Sequence, residues 1–263
     1  MKRMLIIFSA LAFLLTSANT SSAQSNKGLE IAQAADQADQ GFGSIVVELN
    51  MQLKNANGQT SSRKLVNKTL ELTEDGDKSL IVFNSPKDVK GTSMLTYSHK
   101  EGSDDQWLFL PSIKRVKRIS SNNKSGPFMG SEFAYEDLSS QEVEKYSYNF
   151  LQEDNINGDK AYVVERDPVD PKSGYKKQIV WYNADKGYRL EKIEYYDRKG
   201  ALLKTLIYND YNQYKGKHWR ASEMVMTNHQ SNKETTLSFS DYQFKVGYTD
   251  NDFSQNSLKR AGR

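Results

Sequence analysis

Histidines, paired carboxylates and one tight run of cations are the residues in this chain that could do chemistry. His99, His218 and His229 stand far apart and none has a partner at metal-ligand spacing, so surface or turn positions suit them better than a metal centre. Asp104-Asp105 and Glu136-Asp137 are adjacent in sequence, and neighbours on a strand point to opposite faces, which makes them poor candidates for a paired acid and base. There is no G-x-S-x-G elbow, no H-E-x-x-H and no phosphate-cradling glycine loop; Gly126 and Gly130 flank Pro127 in a pattern that suits a turn. With no cysteine, a disulfide framework, a thiolate metal site and thiol lipidation are all excluded. The chain reads as a protein without catalysis, cofactor or metal.

The cations belong to a longer stretch, Asp104 to Leu138. It opens as a strand with Trp107 and Phe109 on one face and Leu108 and Leu110 on the other, stopped by Pro111, which has no N–H to donate. Lys114, Arg115, Lys117, Arg118 and Lys124 follow, interleaved with Ile113, Val116 and Ile119. A solvated edge strand protected by charge explains this run. A docking face for an acidic partner or an anionic lipid headgroup, built on Lys114, Arg115, Lys117 and Arg118, explains it too. Beyond lies a loop over about 120–135, longer than an ordinary connection. It carries Phe128, Met129, Phe133 and Tyr135, large apolar side chains for which a polar loop has no structural use. They must cover something. Together with Trp107 and Phe109 they are the candidate lining or lid of a hydrophobic cargo cavity.

These residues are positioned by a chain of 263 residues. Lys2 and Arg3, the apolar run Met4 to Leu15 and the small residues Ser21-Ser22-Ala23 read as a secretory signal peptide over 1–23. Residues 24–263 are long enough for one sizeable domain, exported, soluble and held by its core. The chain has 36 Lys and Arg against 33 Asp and Glu; without Lys2 and Arg3 the balance is 34 against 33, which argues against a general nucleic-acid binder.

Residues Gly28 to Gly41 form the one convincing helix, with Leu29, Ile31, Ala32, Ala35 and Ala38 on its apolar side. From Ser44 the pattern is strand after strand, punctuated by Asn57-Gly58 and Asp75-Gly76 and later by Gly158, Gly174, Gly187, Gly200 and Gly216. About eleven strands are expected, near the number at which an open antiparallel sheet must curl. The tail Asp250 to Arg263 is polar and expected to be loose. Fifteen tyrosines and three tryptophans fit either a cavity mouth or an ordinary sandwich core. An outer-membrane barrel fits poorly, because charges such as Lys192 and Glu194 interrupt the alternation its strands would need.

The runs DQWLFLPSIKRVKRISS and SGPFMGSEFAYEDL strongly resemble the outer-membrane lipoprotein-sorting protein family, related to the periplasmic carrier LolA; WYNADKGYRLEKIEYYD at Trp181 to Asp197 adds weaker support. The resemblance implies a mainly β fold, a LolA/LolB-like half-barrel with an N-terminal helix and a long covering loop. It implies a periplasmic carrier or chaperone that takes lipid or lipoprotein acyl chains toward the outer membrane. An inner-membrane exporter of the resistance-nodulation-division (RND/MMPL) type is the partner the family suggests. The competing expectation is a lipid-sensing adaptor of the same fold that docks on a membrane protein.

Overall fold

The computed structural model describes residues 12–261. Of the leader expected at 1–23, residues 1–11 lie outside them. Helix α1 spans Ala12–Asp39, starting earlier than the expected Gly28, and no Gly or Pro interrupts residues 12–27 to break it. It ends where Gly41 and Gly43 take positive φ, and their N–H groups donate to the Glu71 carboxylate at 2.6 and 2.5 Å. Among the described residues no helix is long and apolar enough to cross a membrane.

Thirteen strands follow, two more than expected. They are β1 (Ser44–Lys54), β2 (Thr60–Leu70), β3 (Lys78–Ser85), β4 (Ser93–Tyr97), β5 (Asp105–Leu110), β6 (Arg115–Ile119) and β7 (Tyr146–Ile156). The second run comprises β8 (Asp159–Pro168), β9 (Tyr175–Asn183), β10 (Leu190–Asp197), β11 (Leu202–Tyr214), β12 (His218–Asn228) and β13 (Lys233–Phe244). All belong to one antiparallel sheet in the order β6-β5-β4-β3-β2-β1-β13-β12-β11-β10-β9-β8-β7. The hairpins follow the turn residues: between β7 and β8, Asn157 and Gly158 both take positive φ, as a two-residue turn matched to the twist of a hairpin requires.

The two largest apolar clusters lie on opposite faces. The larger holds Met51, Leu65, Phe83, Met94 and Leu108 together with Tyr148, Val180, Ile193 and Leu206, and α1 adds Ile31 and Ala32. This is the inner face. A side chain at Gly28 would put its Cβ 2.9 Å from the Phe150 backbone nitrogen, so the closeness of α1 to β7 requires glycine there. The smaller cluster, on the outer face, joins Leu80, Val82, Leu95 and Phe109 to Phe253 and Leu258. Those last two are fully buried, and the second helix, α2 (Gln255–Ala261), packs across β4 with Ser93 Oγ donating to the Leu258 carbonyl at 2.8 Å. Of the tail expected to be loose, the described part, residues 250–261, is therefore docked; residues 262–263 lie outside the described residues. Two apolar residues in a polar stretch gave no helical period to read, but together they seal one patch of sheet.

Candidate functional site: the inner face and its cover

The segment 120–145, between β6 and β7, crosses the inner face as a chain of short 3₁₀ turns. Phe128 is fully buried, its ring centroid 5.7 Å from those of Phe83 and Tyr135, and Phe133 is buried beside it. Met129 and Tyr135 are half-buried against the same cluster. The structure thus brings Phe128, Met129, Phe133 and Tyr135 together over the inner face.

Polar groups tie this cover down. Gln106 of β5 donates to the Tyr135 carbonyl at 2.8 Å, and Tyr175 of β9 donates its hydroxyl to Asp137 at 2.8 Å. Tyr135 and Asp137 are two residues apart, within about 7 Å. Yet β5 and β9 stand nine positions apart in the sheet, about 43 Å if it were flat at ~4.8 Å per strand. The sheet must curl round the cover. On the seam where it comes together, Lys145 pairs with Asp104 at 2.5 Å and Lys124 with Asp170 at 2.7 Å. A polar cavity of about 180 Å³ lies there, lined by Lys124, Glu136, Gln141, Tyr146 and Gln178 among others.

The most deeply buried ion pair is Lys204–Asp137, 2.6 Å apart with both side chains only 4% exposed. Asp137 also accepts the Ala134 N–H at 2.7 Å, and Lys204 also donates to the Glu132 carbonyl at 2.9 Å. Arg63 of β2 donates to the Met129 carbonyl, and Glu132 N–H donates to Thr235 Oγ1 of β13 at 3.0 Å. Glu136 accepts from Ser173 Oγ and the Gly174 N–H, both at 2.8 Å; burial and the neighbouring Asp137 hold its carboxyl above the usual range. Glu136 and Asp137 lie in a 3₁₀ turn and not on a strand, and each is occupied by these attachments.

Other expected site residues fall elsewhere. Trp107 and Phe109 are not in the cavity: they sit on the outer face, Phe109 in the cluster under α2 and Trp107 packed against that cluster, its ring 5.1 Å from Tyr97. Leu108 and Leu110 carry the inner face of β5 instead. Alternation had separated the two faces without saying which was inside. Lys114, Arg115, Lys117 and Arg118 are exposed along β6, an edge of the sheet, and Arg118 pairs with Asp105. His99 bonds Asp75 at 2.6 Å, His218 stacks on Phe244 and His229 bonds Thr205 at 2.8 Å. Sequence reasoning missed Lys204, Tyr175, Gln106 and Arg166; a lysine in phase with the apolar residues Leu206 and Tyr208 was the available signal for the first.

A family model described as an uncharacterized protein matches residues 75–260. No curated protein matches the chain. Among solved structures, a "putative outer membrane lipoprotein-sorting protein domain" from Vibrio parahaemolyticus is 55% identical, with 90% of this chain and 100% of that one covered and a TM-score of 0.88. A DUF1329 family protein from Desulfovibrio piger is 28% identical over 89% of this chain and 99% of its own, TM-score 0.84. A LolA superfamily protein from Nitrosomonas europaea is 21% identical over 88% and 98%, TM-score 0.70, a likeness of fold.

Two outcomes follow from this geometry. Asp137→Ala strands the Lys204 ammonium in the interior and lowers unfolding stability by about 3–5 kcal/mol, whereas Asp137→Leu combined with Lys204→Met recovers most of it; urea titrations of the three proteins check this. The second concerns Asp77, between β2 and β3, whose carboxyl burial raises to about 7. The folded state then holds this proton more tightly than the unfolded chain, so its contribution is complete below about pH 4 and is lost as pH rises through 7. Relative to Asp77→Asn, the natural protein loses about 2–4 kcal/mol between pH 4 and 8; equal slopes in the two stability profiles would refute this.

Proposed function

We propose, because the chain belongs to the outer-membrane lipoprotein-sorting protein family and has the LolA-superfamily fold, that it is a non-catalytic carrier of a hydrophobic cargo. The observation that carries this reading is the cover: four apolar side chains pack on the inner face, and the segment bearing them is tied down by hydrogen bonds and ion pairs. Acyl chains of a lipid or lipoprotein would take the place of Phe128, Met129 and Phe133 on the sheet, each buried methylene contributing roughly 0.8 kcal/mol. The carrier would work in the periplasm and transfer its cargo toward the outer membrane, with an exporter of the RND/MMPL type as partner.

The exposed edge β6 supports a second element of the reading. Its outward backbone groups face no further strand, Lys114, Arg115 and Lys117 are exposed beside them, and Ile113 is 49% exposed. We assign it as the docking edge for an acidic partner; an adaptor without cargo would use the same edge.

Native mass spectrometry of the protein purified from periplasm, followed by lipid extraction, tests the carrier. A bound amphiphile of defined mass is expected, and an unliganded mass combined with refusal of added fluorescent fatty acid would overturn the reading. Changing Lys114, Arg115 and Lys117 together to Glu is expected to leave fatty-acid uptake intact and to abolish cross-linking to the co-expressed exporter. Loss of uptake would move those cations to the cavity mouth.

A further inference from the structure

The inner face has two characters. Strands β1 to β5 and β13 supply Met51, Leu65, Phe83, Met94, Leu108 and Leu237, while strands β7 to β11 supply Val164, Val180, Ile193 and Leu206 together with tyrosines, among them Tyr146, Tyr148, Tyr182, Tyr195 and Tyr208. Within the tyrosine half lies Arg166 of β8, 3% exposed. No carboxylate among the described residues stands within 4.0 Å of it, in contrast to the equally buried Lys204, which has Asp137. Its Nε donates to Gln178 Oε1 at 2.8 Å and its Nη2 to Gln141 Oε1 at 3.2 Å, and its guanidinium lies 4.4 Å over the Tyr146 ring. Burial raises the hydroxyls of Tyr146, Tyr148, Tyr182 and Tyr195, which stay neutral and give dipoles without a counter-charge.

A buried cation without an anion costs several kcal/mol of lost hydration. What occupies the anion's place is instructive. Gln141 belongs to the cover, and its Oε1 accepts from both Arg166 and the Tyr146 hydroxyl, the latter at 2.5 Å. One neutral oxygen, carried on the cover, thus sits where two donors converge, and Gln141 and Gln178 also line the seam cavity. If the cover lifts, Gln141 leaves with it and the guanidinium faces the space the cover had filled.

We propose that the inner face binds an amphiphile with an anionic head, a phosphate or carboxylate, whose oxygens replace Gln141 Oε1 on Arg166 and Tyr146 while its chains lie on the aliphatic half of the sheet. This rests on the carrier reading and adds the class of cargo. Bidentate pairing of a guanidinium with either head group is the recognition involved.

The test offers the protein three lipids sharing the same two oleoyl chains: dioleoyl phosphatidic acid, dioleoylglycerol succinate and dioleoylglycerol. Bound lipid is read by native mass spectrometry. The natural protein should prefer the two anionic lipids by about tenfold or more over dioleoylglycerol. Arg166→Gln should remove the preference while keeping dioleoylglycerol uptake, Arg166→Lys should retain part of it, and Gln141→Ala should raise anionic-lipid occupancy alone. A preference that survives Arg166→Gln, or a natural protein that takes dioleoylglycerol as readily as the acids, overturns the proposal. Displacement of both acids by millimolar inorganic phosphate would assign the site to a free anion and overturn the lipid assignment. Refusal of all three lipids would sink the carrier reading itself, and this inference with it. Should Arg166→Gln fail to fold by near-ultraviolet circular dichroism, Arg166→Lys and Gln141→Ala decide the matter.

Discussion

A 13-stranded sheet with an apolar inner face must hide that face from water, and one helix cannot do it. Helix α1 lies along β7 at one margin. The rest is closed by the 120–145 segment, and that segment is too short to cover a flat sheet. The sheet therefore curls until strands nine places apart, β5 and β9, both reach residues 135–137. Curl, cover and seam are one solution to one constraint. The ion pairs Lys145–Asp104 and Lys124–Asp170 fix where it closes.

The manner of attachment matters as much as the coverage. Phe128 is fully buried and Phe133 nearly so, so the closed state is well packed. Polar contacts hold the segment as well: Gln106, Lys204, Arg63 and Thr235 meet its backbone through hydrogen bonds, and Tyr175 meets the Asp137 side chain. A neutral hydrogen bond exchanged for one to water changes the free energy by about 1 kcal/mol, and one to a charged group such as Lys204, Arg63 or Asp137 by about 1.5–3 kcal/mol. The large term is the apolar area of the inner face, and a hydrophobic cargo can supply that in place of the aromatics. The chemistry of the segment thus favours exchange over permanent closure.

How far this was legible in the sequence depends on the range of the interaction concerned. Strands, turns and the apolar loop are local patterns, and the four large apolar side chains of that loop lie over the inner face. The inside of β5 was not local information: Trp107-Phe109 and Leu108-Leu110 are equally apolar pairs, and only the docking of Phe253 and Leu258 shows which faces out. The Lys204–Asp137 pair joins residues 67 positions apart, and Arg166 acquires its meaning from having no such partner. Charges at apolar phase in a strand were the one visible trace of both.

The two faces of the sheet differ in a way that constrains motion. Outside, α2 seals β4 with fully buried Phe253 and Leu258, an apolar contact with no polar substitute in water. Inside, on the carrier reading, a ligand of similar character would replace the cover's aromatics and water its polar attachments. Opening on the outer face would expose apolar surface to solvent, whereas opening on the inner face hands that surface to the incoming cargo. The outer face is thereby sealed by apolar contacts, and on the carrier reading the side on which Arg166 and the tyrosines lie is the side from which the cover would leave.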